Sequence, residues 1–70
     1  MTKLSNDQIE DLFTKVGEMR ADGAQREGQA LMNALYFINA DLAAEIHGTD
    51  ADCFYDDDRV YLFLRRVGVL

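Results

Sequence analysis

Proline and tryptophan are absent from this chain, and cysteine and histidine occur once each. A lone cysteine closes no internal disulfide and supplies too few ligands for a structural zinc site, which excludes a disulfide-stapled miniprotein. Basic residues are also scarce: 7 Lys and Arg stand against 13 Asp and Glu, a formal charge of −6. That balance opposes direct contact with nucleic acid, which needs Lys and Arg to displace counterions from phosphates. It opposes anionic membrane surfaces for the same reason. No apolar run approaches the ~20 residues that cross a bilayer. The N-terminus carries no basic-then-apolar signal segment, so the cytoplasm is the expected location. The glycines are dispersed, and none falls in G-x-G-x-x-G or precedes Lys-Ser/Thr. Phosphate-loop chemistry is therefore not expected, and no cofactor is implied.

What is present is a hydrophobic content of 49% in 70 residues, enough for one small core and too much for a disordered tail. No linker-like or repetitive stretch divides the chain, so residues 1–70 are expected to form a single helical domain.

The first helix is announced by local signals. Ser5 and Gln8 have capping-box spacing, and Leu4 and Ile9 have the spacing of a hydrophobic staple. Ile9, Leu12, Phe13, Val16 and Met19 then recur within about 120° at ~100° per residue, a core-facing stripe. Asp22-Gly23 supplies the stop. A second helix is expected over residues 25–38, with Ala24, Gly28, Leu31, Met32, Leu35 and Ile38 on one face. Ala30, Ala34, Tyr36 and Phe37 cover much of the remainder, and Asn33 is the one polar residue between Ala30 and Ile38. A helix apolar nearly all round packs on several sides, so this one is expected at the centre. Gly28 costs about 1 kcal/mol relative to Ala inside a helix. Either another backbone comes close to it, or the position merely tolerates glycine.

Asn39 can cap a third helix over residues 40–47, with Leu42, Ala43 and Ile46 inward and Gly48 ending it. Residues 49–55 have no sustained period and read as a loop. Three acids, Asp56, Asp57 and Asp58, precede a last element bearing Val60, Phe63, Leu64 and Val67 at helical spacing, and Arg65-Arg66 stand near its end. Acids first and bases last suit the helix dipole. The run from Val60 to Leu64 is also rich in strand formers, but nothing else in the chain offers a strand to pair with. The fold expected is an all-α compact bundle of about four short helices, with the second central.

Four sets of residues carry candidate chemistry. The acidic cluster Asp50, Asp52, Asp56, Asp57 and Asp58 suggests Ca²⁺, but EF-hand grammar fails. With Asp50 first, Tyr55 occupies the sixth position that needs Gly, and Tyr61 the twelfth that needs Glu. Helix capping explains the acids better, and no metal is expected. His47 and Cys53 could in principle form a nucleophilic dyad. A cation at a helix C-terminus and a small core thiol explain them more simply, and no enzymatic activity is expected. Asp7, Asp11, Glu18 and Asp22 project within about 60° of one another, over roughly 22 Å of helix. Such a row can imitate nucleic-acid phosphates and engage the Arg and Lys of a partner. Lys15 intrudes on it, so a solvated face laced with ion pairs is the competing reading. Finally, Phe37, Leu62 and Val69 point away from the core stripes. Either their helices are sandwiched on two sides, or an apolar patch awaits a partner or a second copy.

One pattern runs through residues 26–64. It comprises Gly28-Gln29 and Asn33-Ala34-Leu35, then Ile46-His47-Gly48-Thr49-Asp50, then Asp52-Cys53-Phe54-Tyr55-Asp56-Asp57. It resembles a group of small uncharacterised acidic proteins encoded by bacteriophages and prophages. The resemblance carries no activity and no site residue. It implies a genomic setting in which small acidic proteins often bind and redirect a host protein, such as a nucleic-acid enzyme or a defence complex. Residues 48–50 and 54–57 would then form one structural unit, with the aromatics anchoring the loop and Asp56 or Asp57 capping the last helix.

The functional expectation is a non-enzymatic protein-binding module that covers a basic surface of a host protein. Asp7, Asp11, Glu18 and Asp22, together with the Asp50–Asp58 region, would supply steering and specificity, and Tyr36, Phe37, Tyr61 and Leu62 the desolvated anchors. The rival is a structural or assembly role, with homo-oligomerisation through Phe37, Leu62 and Val69.

Overall fold

The computed structural model describes residues 3–70, and among them the chain forms four α-helices and no strand. They are α1 (Asn6–Arg20), α2 (Glu27–Ile38), α3 (Ala40–Ile46) and α4 (Val60–Val67), the last preceded by a 3-10 turn over Asp57–Arg59. The expected all-α bundle with a central second helix is the observed architecture. α2 packs against α1, α3 and the 3-10 turn, and Ala30, Leu31, Met32, Ala34 and Leu35 are all buried along it.

α1 begins as its local signals require. The Ser5 hydroxyl accepts from the Gln8 amide at 3.2 Å, and the Gln8 side chain accepts from the Ser5 amide at 3.1 Å. Leu4 is buried, and its amide donates to the Val67 carbonyl at 2.9 Å, tying the start of α1 to the end of α4. Only Leu12 and Val16 of the expected stripe are fully inside; Ile9 and Met19 are half-buried. Phe13 departs from expectation at 45% exposed. It lies about 60° from Val16 around the helix axis, at the edge of a stripe that packs mainly on α2.

Two boundaries shift. α2 starts at Glu27, not residue 25, so Ala24 is an exposed loop residue instead of part of the buried face. α3 ends at Ile46, with His47 as its C-cap. Asn39 caps α3 as expected, its side chain accepting from the Leu42 amide at 3.1 Å. α4 closes on Gly68, whose φ of 99° lies in the left-handed region that favours glycine. The Val69 amide then returns to the Leu64 carbonyl at 2.9 Å, which lays Val69 against the core. Val69 is therefore not the free apolar residue expected, whereas Phe37 at 71% and Leu62 at 43% remain exposed.

Candidate functional site

The loop between α3 and α4 is built by its own acids. The Asp52 carboxylate accepts from the Gly48 amide at 2.8 Å and the Phe54 amide at 3.1 Å, with His47 Nδ1 at 3.6 Å. Asp56 accepts from the Asp58 amide at 2.9 Å and so caps the 3-10 turn. Arg59 reaches back to Asp50, Asp56 and the Thr49 carbonyl. These carboxylates bind the loop's own amides and an arginine. No group of three or more His, Cys, Asp or Glu among the described residues is arranged to hold a metal ion.

Asp57 does something the sequence did not disclose. Its Oδ1 accepts from the Gly28 amide at 3.0 Å and pairs with Arg26 at 2.9 Å, while Arg26 also donates to the Phe54 carbonyl. The loop thereby caps the N-terminus of α2, whose own cap residue, Arg26, offers no side-chain acceptor. Gly28 is buried beneath it, and a Cβ there would overlap the Cys53 carbonyl oxygen and lie 2.8 Å from Asp57 Oδ1. Of the two readings of Gly28, close backbone approach is the one observed. Cys53 is fully buried, and its thiol donates to the Gly28 carbonyl at 3.4 Å. Burial pushes its pKa up to about 12, so the thiolate needed for nucleophilic chemistry is disfavoured.

The expected interaction residues fall on three surfaces. Asp7, Asp11 and Glu18 are exposed on α1. Asp22 lies past the helix end in a turn, where it accepts from the Ala24 amide at 2.9 Å, so the acidic row has three members on the rod instead of four. Asp11 and Glu18 line an open groove of about 360 Å³ with Thr14, Lys15, Phe37 and Ile38. Lys15 lies across it, 3.3 Å from Glu18 and 4.1 Å from the centre of the Phe37 ring. The acidic face and the most exposed α2 aromatic thus share one surface.

Tyr36 faces a different recess, of about 150 Å³, with Met32, His47, Asp52, Phe54 and Tyr55. Phe54 is half-buried and anchors the loop, but Tyr55 is 86% exposed and does not. Leu62 lines a third depression with Lys3, Asp50, Ala51, Arg65 and Arg66, and the Arg65 guanidinium lies 5.9 Å from the Tyr61 ring centre. Phe37 and Leu62 consequently line separate depressions, and with Val69 packed inward the three do not make the single apolar patch expected. Sequence reasoning named Asp52, Phe54 and Tyr55 as loop residues but missed that the loop fold brings them to Tyr36. Only the i,i+4 spacing of Met32 and Tyr36 hinted at that recess.

No helix among the described residues is long and apolar enough to cross a membrane. Comparison with protein-family models, curated proteins and solved structures gives no match.

Proposed function

We propose that this protein is a non-enzymatic binding module that uses the α1–α2 groove to cover a basic surface on another protein. The observation that carries the reading is the placement of Asp11, Glu18 and Phe37 around one open groove. Steering charge and a large exposed ring together supply what a docking surface needs: long-range attraction, then a desolvated anchor. With the chain at −6, the field favours a positive partner and slows approach to phosphate backbones. Lys15 is the resting occupant. It covers Phe37 and pairs Glu18 until an Arg or Lys of the partner displaces it. Asp7 extends the acidic face, and three carboxylates on a helix are a short imitation of nucleic-acid phosphates. Cytoplasmic location, bacteriophage origin and a bacterial host protein as partner belong to the same proposal.

The test is affinity capture from a bacterial lysate with the wild type and a D11K/E18K/F37A variant in parallel. A protein retained by the wild type alone, and released by raised salt, supports the reading. Equal recovery on both resins contradicts it.

Self-association is the second reading, favoured by the exposure of Tyr61 and Leu62 on α4. Sedimentation over a range of concentrations tests it, and a constant molecular mass would remove it.

A further inference from the structure

The recess around Tyr36 stands apart from the α1–α2 groove, and its chemistry differs. Three aromatic rings (Tyr36, Phe54 and Tyr55) line it together with the Met32 thioether, the His47 imidazole and the Asp52 carboxylate. The Phe54 and Tyr55 rings have centres 4.7 Å apart and planes at 69°, so they meet edge to face where they line the recess. Two other exposed rings, Phe37 and Tyr61, already carry a basic side chain of this chain, Lys15 and Arg65. None of the residues lining the Tyr36 recess is Lys or Arg.

We propose that this recess binds a small quaternary ammonium group. Ring π-systems attract cations electrostatically, and rings set at an angle address one cation from more than one side. Asp52 adds a fixed negative charge at the wall and excludes anions. Its oxygens already accept from the Gly48 and Phe54 amides and lie 3.6 Å from His47. Two of its roughly four acceptor sites are thereby filled, so a donor-rich guanidinium or primary ammonium meets a carboxylate already half occupied. A trimethylammonium head makes no such demand, since it donates no N–H hydrogen bond. The volume agrees: about 150 Å³ is half the lower bound of roughly 300 Å³ for pockets that enclose whole drug-sized ligands. A head group fits and its remainder extends into solvent past Tyr55. Arg59 borders the depression on the far side of Asp52 and Tyr55, but it is held by Asp50 and Asp56. The site does not depend on the α1–α2 groove and stands or falls separately.

The experiment is an NMR titration of the full chain with tetramethylammonium, using neopentane-shaped tert-butanol as the uncharged control. Saturable shifts are expected at the Tyr36, Phe54 and Tyr55 ring resonances, with the cation bound about tenfold more tightly than the alcohol. Tyr55→Leu, at a side chain too exposed to hold the fold, is expected to weaken the cation about threefold and leave the alcohol unchanged. Separate titrations with choline and with an Nε-trimethyllysine amide distinguish a free metabolite-like ligand from a modified side chain. Equal shifts from the alcohol, shifts that do not saturate, or preference for a guanidinium such as N-acetylarginine amide would each overturn the proposal.

Discussion

The Gly28 amide donates a 3.0 Å hydrogen bond to the carboxylate of Asp57, 29 residues further along the chain. This contact fastens the α3–α4 loop to the central helix, and Gly28 is small because the Cys53 carbonyl passes where a side chain would be. In an unobstructed helix, Gly→Ala stabilises by about 1 kcal/mol. Here the atoms in the way belong partly to backbone, which gives little. Gly28→Ala is therefore expected to destabilise by about 2 kcal/mol in urea denaturation. A gain in stability would mean that the loop does not sit against α2.

Asp57 and Asp58 are neighbours with unequal duties. Asp57 caps α2 and pairs with Arg26, whereas among the described residues the Asp58 side chain makes no hydrogen bond or ion pair. Asp57→Ala should cost about 1–2 kcal/mol, the range for losing a helix cap, and Asp58→Ala less than about 0.5 kcal/mol. Equal effects in paired denaturation curves would contradict the remote cap.

The Cys53 thiol, raised by burial from an ordinary value of 9.0 to about 12, ties stability to alkaline pH. The unfolded chain loses its thiol proton near 9.0 while the folded chain keeps it. The stabilising contribution is thus intact below pH 9 and declines between about 9 and 12. Cys53→Ala should flatten the alkaline limb of a stability profile, although it also costs some packing at neutral pH. In the wild type, a thiol reagent at pH 8 should label only after denaturant is added. Rapid labelling of the native protein would refute the burial.

Lys15 separates the two readings of the acidic face. If the groove is a docking surface, removing its resting occupant bares Phe37 and Glu18 for a basic partner. Lys15→Ala is then expected to strengthen partner binding a few-fold, while costing less than about 1 kcal/mol of stability for an exposed ring contact and ion pair. Weakened binding would place Lys15 itself in the interface, and unchanged binding would leave the face merely solvated.

α1 was legible because its signals are local: a capping box, a staple and a 3.6-residue period lie within one segment. α3 was legible for the same reason, through Asn39. The start of α2 was misplaced because its cap comes from Asp57, and no window of sequence around residue 25 contains it. Periodicity puts Phe13 in the core because it counts apolar residues without knowing how wide the opposing surface is. Helical angle alone puts Asp22 on the acidic rod, yet its carboxylate serves the turn at Ala24. The recess around Tyr36 was hidden because residues 49–55 have no period. Their order comes from Asp52 and Arg59 hydrogen bonds, which depend on chemistry at particular atoms. By contrast, charge and helical angle single out Asp11 and Glu18, and helical angle alone turns Phe37 away from the core, but their meeting around one groove requires the packing of α1 on α2.

The most direct measurement is a footprint of the captured partner on the ¹⁵N-labelled protein. Amide shifts or line broadening should concentrate at residues 11–18 and at Phe37, fade as salt is raised, and spare α3. A footprint centred on α4, or one that ignores salt, would show that the acidic groove is not where this protein meets its partner.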